Sequence, residues 1–164
     1  MIFVERFSDV SGLHVVCIDS EEKAGTVETI VCDDKDGVLG FLVNSGKLAN
    51  KYGFIFIEDV IDVGKNEITI PDGKSILKKR SEVKDYRKNR GWAWLNKKVI
   101  SEEGQLLGTI KDGAFDVNSG KISEVELSLG VMEDLRDGRR RFCIDRDTEF
   151  GEEFIILKTG GKNG

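Results

Sequence analysis

Proline occurs once in this chain, histidine once, and the three cysteines share no motif. Each scarcity excludes something. His14 is the only base on which a Ser–His–Asp or Cys–His relay could run. Nothing beside it resembles a nucleophile elbow, and within "LHVVCI" it reads as a strand residue. Cys17, Cys32 and Cys143 are odd in number, widely spaced and without a CxxC pair, so neither a zinc site nor a disulfide framework is expected. They read as small apolar residues of a reducing cytoplasm. No apolar run approaches the roughly 18 residues of a membrane-spanning helix. The opening "MIFVERFSDV" lacks the basic head and apolar core of a secretory signal. GxGxxG and Walker-type loops are missing too, which leaves nucleotide binding without a motif. The expectation is a cytoplasmic, non-enzymatic protein with no catalytic set, no metal and no cofactor.

Glycine, by contrast, is plentiful: 19 of 164 residues, against a usual share of about 7%. Many glycines with little proline suit short strands joined by tight turns. The net charge of −5 is unevenly spread. Residues 74–90, "KSILKKRSEVKDYRKNR", carry eight Lys or Arg against Glu82 and Asp85, so this stretch is +6 and the rest of the chain −11. A basic connector thus joins two acidic bodies.

Those bodies are copies. "GTVETIVCDDKDGVL" begins at Gly25 and "GTIKDGAFDVNSGKI" at Gly108, and at that offset of 83 Thr26, Asp33 and Gly37 fall on Thr109, Asp116 and Gly120. Carried upstream without a gap, the alignment sets Val16 on Val99 and Glu21 on Gly104. Downstream, "IEDVIDVGKNEITI" (57–70) meets "IDRDTEFGEEFIIL" (144–157), with Gly64 on Gly151. The offset there is 87, so the second copy carries four extra residues in its middle loop, where insertion is tolerated.

Each copy reads as strand, turn, strand. Val125, Leu127 and Leu129 alternate with Glu124, Glu126 and Ser128, the pattern of a half-buried strand. "VLGFLV" (38–43) is a continuous apolar run, as for a strand covered on both faces. "FIFI" (54–57) and "FIIL" (154–157) are too short for helices. "KDG" (35–37) and "NSGK" (118–121) are turn material. With about 70 residues, each unit is near the size at which a lone core becomes marginal. The copies are therefore expected to pack on one another or to dimerise. Between them, Ile76, Leu77, Val83 and Tyr86 recur at roughly helical spacing, predicting an amphipathic helix over 74–88.

At these residues the sequence resembles the PRC-barrel family, in tandem. "LNKKVISEEGQLLGTIKDGAFDVNSGKI" (95–122) is similar to the family's opening strands and turns, and "FIFIEDVIDVGKNEITI" (54–70) to its closing ones. The first copy departs from the pattern at Glu21, where the second has Gly104. The resemblance implies a mainly β chain, with one small PRC-type β-barrel over 1–72 and a second over 92–158; charge and spacing make the segment that joins them, 73–91, a short basic helical connector. The tail, 159–164, is expected to be disordered. The family has no shared catalytic residues. Its members include a domain of the small-subunit ribosome maturation factor, the cytoplasmic part of the reaction-centre H subunit, and archaeal relatives that resemble cell-division adaptors. Holding partners is their common thread. The H subunit's membrane helix is absent here, and 1–72 shows the PRC pattern rather than the maturation factor's own amino-terminal barrel.

Two sets of side chains could carry function. Asp33 and Asp116 could be catalytic carboxylates or ligands, but equivalent places in both copies favour capping of the following turn. "CDDKDG" resembles a calcium loop only in part, because Cys32 and Val43 occupy the first and twelfth positions, where Asp and Glu are needed. Lys78, Lys79, Arg80, Lys84, Arg87, Lys88 and Arg90 precede Trp92 and Trp94, and Arg139, Arg140 and Arg141 form a second cluster. Basic residues beside aromatics can bind RNA; the alternative is a solvated helix face, with the tryptophans buried as the second barrel begins and the arginine triplet guarding a strand edge. The leading expectation is an adaptor for an unidentified protein or ribonucleoprotein partner. The runner-up is an RNA- or ribosome-associated maturation factor, and an enzyme with a cavity between the copies ranks last.

Overall fold

The computed structural model describes residues 3–33, 37–46, 51–86, 94–145, 147–151 and 153–158. In chain order the first copy runs β1 (Val4–Arg6), a single helical turn α1 (Phe7–Val10), β2 (His14–Cys17), β3 (Lys23–Cys32), β4 (Val38–Asn44), β5 (Tyr52–Phe56), β6 (Asp62–Val63) and β7 (Glu67–Ile70). β8 (Ile76–Leu77) and α2 (Arg80–Asp85) make up the connector. The second copy follows as β9 (Lys98–Ser101), β10 (Leu106–Asp116), β11 (Ile122–Ser128), α3 (Val131–Asp137), β12 (Arg140–Cys143), β13 (Glu149–Phe150) and β14 (Phe154–Leu157). Among the described residues no helix is long and apolar enough to cross a membrane.

The strands form where Val, Ile, Thr and Phe concentrate, because branched and aromatic side chains pack well on a pleated surface. β4 is buried along most of its length, as its unbroken apolar run requires. In β11, Val125 and Leu127 turn inward, but Leu129 does not continue the alternation: the strand ends at Ser128 and Leu129 is exposed.

The duplication holds strand by strand. One sheet has the order β6-β7-β2-β3-β4-β5 and the other β13-β14-β9-β10-β11-β12, so each element meets its counterpart. The parallel pairs β2–β7 and β9–β14 match at His14↔Glu67 and Lys98↔Phe154. The gap-free upstream alignment needs one correction. Val15 lies across from Gly25 as Val99 lies across from Gly108, so Val15, not Val16, is the counterpart of Val99. A slip of one residue would turn the wrong side chains inward. The first copy absorbs the extra residue in its β2–β3 turn, where Glu21 adopts φ +57 in the place of Gly104 at φ +86. The left-handed turn survives without its glycine, at a cost of about 1–2 kcal/mol. The register divides the four extra residues: one lies in the β10–β11 turn, where Phe115 pairs with Ile122 as Cys32 pairs with Val38, and three lie in the β11–β12 connection, which holds α3.

Two expectations are overturned. The sheets are open rather than closed into barrels: among the described residues β6 is not bonded to β8, nor β12 to β13. Closure is unnecessary because the two copies cover each other, through one apolar cluster that takes residues from both. Phe115 of the second copy lies 6.0 Å from Phe7 and 6.3 Å from Phe41 of the first, between ring centroids. The connector is not one helix over 74–88 either. Ile76 and Leu77 pair with Ile55 and Phe54 as strand β8, a single 3-10 turn (Gly73–Ser75) precedes them, and among the described residues α-helix covers only Arg80–Asp85 of this segment. Completing a sheet edge outweighs the helical spacing of so short a segment. Residues 87–93 and the tail 159–164 lie outside the described residues.

The N-terminal strand also crosses between copies. β1 hydrogen-bonds to the second copy's β10, Val4 across from Asp116 and Arg6 across from Ala114. The two turn glycines, Gly37 and Gly120, meet where the copies join. The Val38 N–H donates to the Gly120 carbonyl at 2.8 Å. A Cβ on Gly120 would lie within 3.0 Å of the Val38 carbonyl oxygen, and one on Gly37 within 3.0 Å of the Gly120 carbonyl oxygen.

Gly120 and Gly104 both have positive φ, +78 and +86, but nothing lies within 4 Å of a Cβ on Gly104. Gly104→Ala should therefore cost only the left-handed strain, about 1 kcal/mol. Gly120→Ala should cost about 3 kcal/mol, because it also forces the copies apart. Urea unfolding of the two variants measures the difference; equal losses would mean that the junction contributes nothing.

Candidate functional site

The connector is held to the first sheet from two sides. β8 completes the edge at β5, and α2 lays Val83 and Tyr86 on the sheet's outer face against Val31, Leu42, Phe54 and Phe56. The Tyr86 ring stacks on Phe54 at 4.2 Å and meets Phe56 edge-on at 5.7 Å. With the apolar side of α2 so occupied, Lys78, Lys79, Arg80 and Lys84 are all exposed. Arg87, Lys88, Arg90 and Trp92 lie outside the described residues. Trp94 is no platform for a nucleobase. It is buried, its indole N–H donates to the Asp33 carbonyl, and its ring lies 5.1 Å from Phe150.

The arginine triplet sits at the start of β12, and two of its members face carboxylates of their own sheet. Arg139 Nη1 is 3.6 Å from Glu126 Oε2 and its Nε 3.4 Å from Asp134 Oδ2, while Arg141 Nε is 3.8 Å from Glu126 Oε1. Arg140 is exposed. Glu126 belongs to a larger set built around the N-terminal arm. Arg6 reaches Asp112, Glu124 and Glu126 at 3.4, 3.4 and 3.7 Å. Asp112 also accepts from the Ser8 hydroxyl at 2.7 Å, from the Ser8 N–H at 3.1 Å and from the Gly113 N–H at 2.8 Å. Burial alone would raise the Asp112 carboxyl, but the Ser8 hydroxyl, the two N–H donors and Arg6 together hold it below its ordinary value.

Asp33 and Asp116 cap turns. Asp33 Oδ1 accepts from the Gly37 N–H at 3.1 Å, and Asp116 accepts from the Asn118 N–H at 3.2 Å and the Ser119 hydroxyl at 2.9 Å. The calcium-like "CDDKDG" places Asp34 and Asp36 outside the described residues. His14 is exposed on β2. Burial pushes the Cys32 thiol far up and also raises Cys17, with Asp19 and Asp72 adding to the latter, so both stay protonated and unreactive. Cys143 is exposed.

Sequence reasoning missed one surface. α3 has no buried residue: Val131, Met132 and Leu135 are 76%, 77% and 80% exposed, and Leu129 before it is 47% exposed. Asp134 fixes the helix from its other side, accepting from the Ser128 hydroxyl. The signal available was the four-residue insertion, with apolar residues at i, i+1 and i+4 inside it.

Comparison with known families gives a match on both copies. The PRC-barrel domain model matches residues 4–77 and again residues 93–161. The chain belongs to the PRC-barrel family. This tandem PRC protein repeats one strand order in both domains, and among the described residues the exposed α3 occurs in the second domain alone. No curated protein matches the chain.

The Asp112 contacts join the N-terminal arm to the second PRC domain, so their loss should be visible in stability. Asp112→Ala leaves Ser8, Gly113 and Arg6 short of their acceptor and should cost about 2–3 kcal/mol at neutral pH. The folded carboxyl is depressed, so its contribution is full above the unfolded value of about 3.9 and fades as pH falls through the folded one. The gap between wild type and variant in urea unfolding should close as the pH falls through the depressed folded value; a gap independent of pH would assign the loss to packing instead.

Proposed function

We propose that this tandem PRC protein is a non-enzymatic adaptor, acting in the cytoplasm and holding a protein or ribonucleoprotein partner on its second domain. The observation that carries the reading is the apolar face of α3. Val131, Met132 and Leu135 are turned to solvent on a helix that has no counterpart among the described residues of the first domain. An exposed apolar cluster costs solubility and marks a surface that another molecule covers. The carboxylates and buried thiols that could have suggested chemistry serve turns, the N-terminal arm and the core instead. Crosslinking mass spectrometry in cells should recover a protein bound at 129–143. Met132→Asp with Leu135→Asp, both at exposed positions, should abolish that capture while leaving the fold intact by circular dichroism. Recovery of no protein above background would end this reading.

A second reading, RNA or ribosome association, is supported by the joint exposure of Lys78, Lys79, Arg80 and Lys84. Four phosphate contacts to single-stranded RNA would give a log–log salt slope of about −3. Reversing all four charges should flatten that slope; unchanged affinity of a uridine oligonucleotide would exclude the connector as its site.

A further inference from the structure

The two domains differ at one corresponding edge. β5 and β12 are counterparts: Leu42 of β4 lies across from Phe54 of β5, as Glu126 of β11 lies across from Arg141 of β12. On its other side β5 receives β8, antiparallel, with Ile55 across from Ile76 and Phe54 across from Leu77. On β12, among the described residues, no strand takes that place. The second domain therefore presents an open sheet edge of the kind that the first domain closes with its own chain, and such an edge is a template for strand addition.

We propose that the outer edge of β12 is the docking site for an extended acidic segment of a partner protein, which adds antiparallel as β8 adds to β5. The inference rests on the adaptor reading and names the form of the adaptor's partner. The side chains that the segment needs follow from the register. Phe142 stands where Ile55 stands and is buried like it, so the residue across from it is apolar, as Ile76 is. Arg141 stands where Phe54 stands, so the next residue carries a carboxylate where β8 has Leu77. Continuing by one, Arg140 falls in the place of Gly53, and a second carboxylate faces it where the connector has Lys78. An apolar residue followed by two acids is the predicted motif. Opposite charges across a strand pair are favourable and like charges are not. A second copy of this chain is a poorer occupant, because antiparallel pairing of two β12 strands along their length sets Arg140 across from Cys143 and Arg141 across from Phe142, with no carboxylate facing either arginine.

The chain's own connector supplies the probe. A fluorescein-labelled peptide of residues 71–78 carrying Leu77→Glu and Lys78→Glu should bind the full-length protein about tenfold more tightly than the unaltered peptide, whose lysine would face Arg140. Binding should shift the backbone amide signals of Arg140–Cys143. It should vanish when the peptide is N-methylated at each residue, and weaken about tenfold in Arg140→Glu. Arg140→Ala, at the same exposed position, should show an intermediate loss. No binding, binding indifferent to N-methylation, or amide shifts confined to other strands would overturn the proposal. So would self-association through β12 in sedimentation, or a uridine oligonucleotide protecting the same amides. Should the peptide fail while cellular crosslinks still capture a protein elsewhere, the adaptor survives and this edge does not. Should the crosslinks find no protein at all, the adaptor itself falls.

Discussion

Everything in this molecule depends on how closely two hairpin turns approach. Gly37 and Gly120 end corresponding strands, and at the join a side chain on either would strike the other copy's backbone. Because neither has one, the Val38 N–H reaches the Gly120 carbonyl. Phe41 and Phe7 then come within ring contact of Phe115. A domain of about 70 residues buries too little apolar surface to be secure alone. Here the missing cover for each open sheet is the other copy, so a shared core replaces two separately closed barrels.

Duplication left the two sheets with the same strand order but different outer faces. In the first, Thr29, Leu42 and Phe54 lie in a row across β3, β4 and β5, and the apolar members of that face are covered by Val83 and Tyr86. In the second, the same row reads Asp112, Glu126 and Arg141, and Arg6 of the N-terminal arm covers it. One face is closed by burial and the other by charge. Exposed ion pairs contribute little singly, but Asp112 is mostly buried and has several donors, which makes this the firm point of the arm. The arginines of β12 are partly engaged in the same set, which leaves Arg140 exposed at an edge that no strand among the described residues covers.

The repeat was legible because a strand's side-chain period and a turn's glycine are local properties. Gly25 on Gly108, Asp33 on Asp116 and the four-residue insertion could all be read without coordinates. What was misread was also physical. The gap-free alignment set Val16 on Val99, because a one-residue change in a turn leaves no local trace when Glu21 adopts the left-handed conformation that glycine usually supplies. The connector looked helical because Ile76, Leu77, Val83 and Tyr86 fit that spacing. Yet the first two are drawn into the sheet by β5, a partner distant in sequence.

From the sequence alone came the mainly β character, the duplication and the capping role of Asp33 and Asp116. Each of these is decided within a few neighbouring residues. Only the tertiary structure decided that the sheets stay open, that β1 crosses to the far domain, that α3 is exposed, and that no strand among the described residues covers the outer edge of β12. Those outcomes depend on which distant surfaces meet, and pairing across the chain is a property of the assembled whole rather than of any segment.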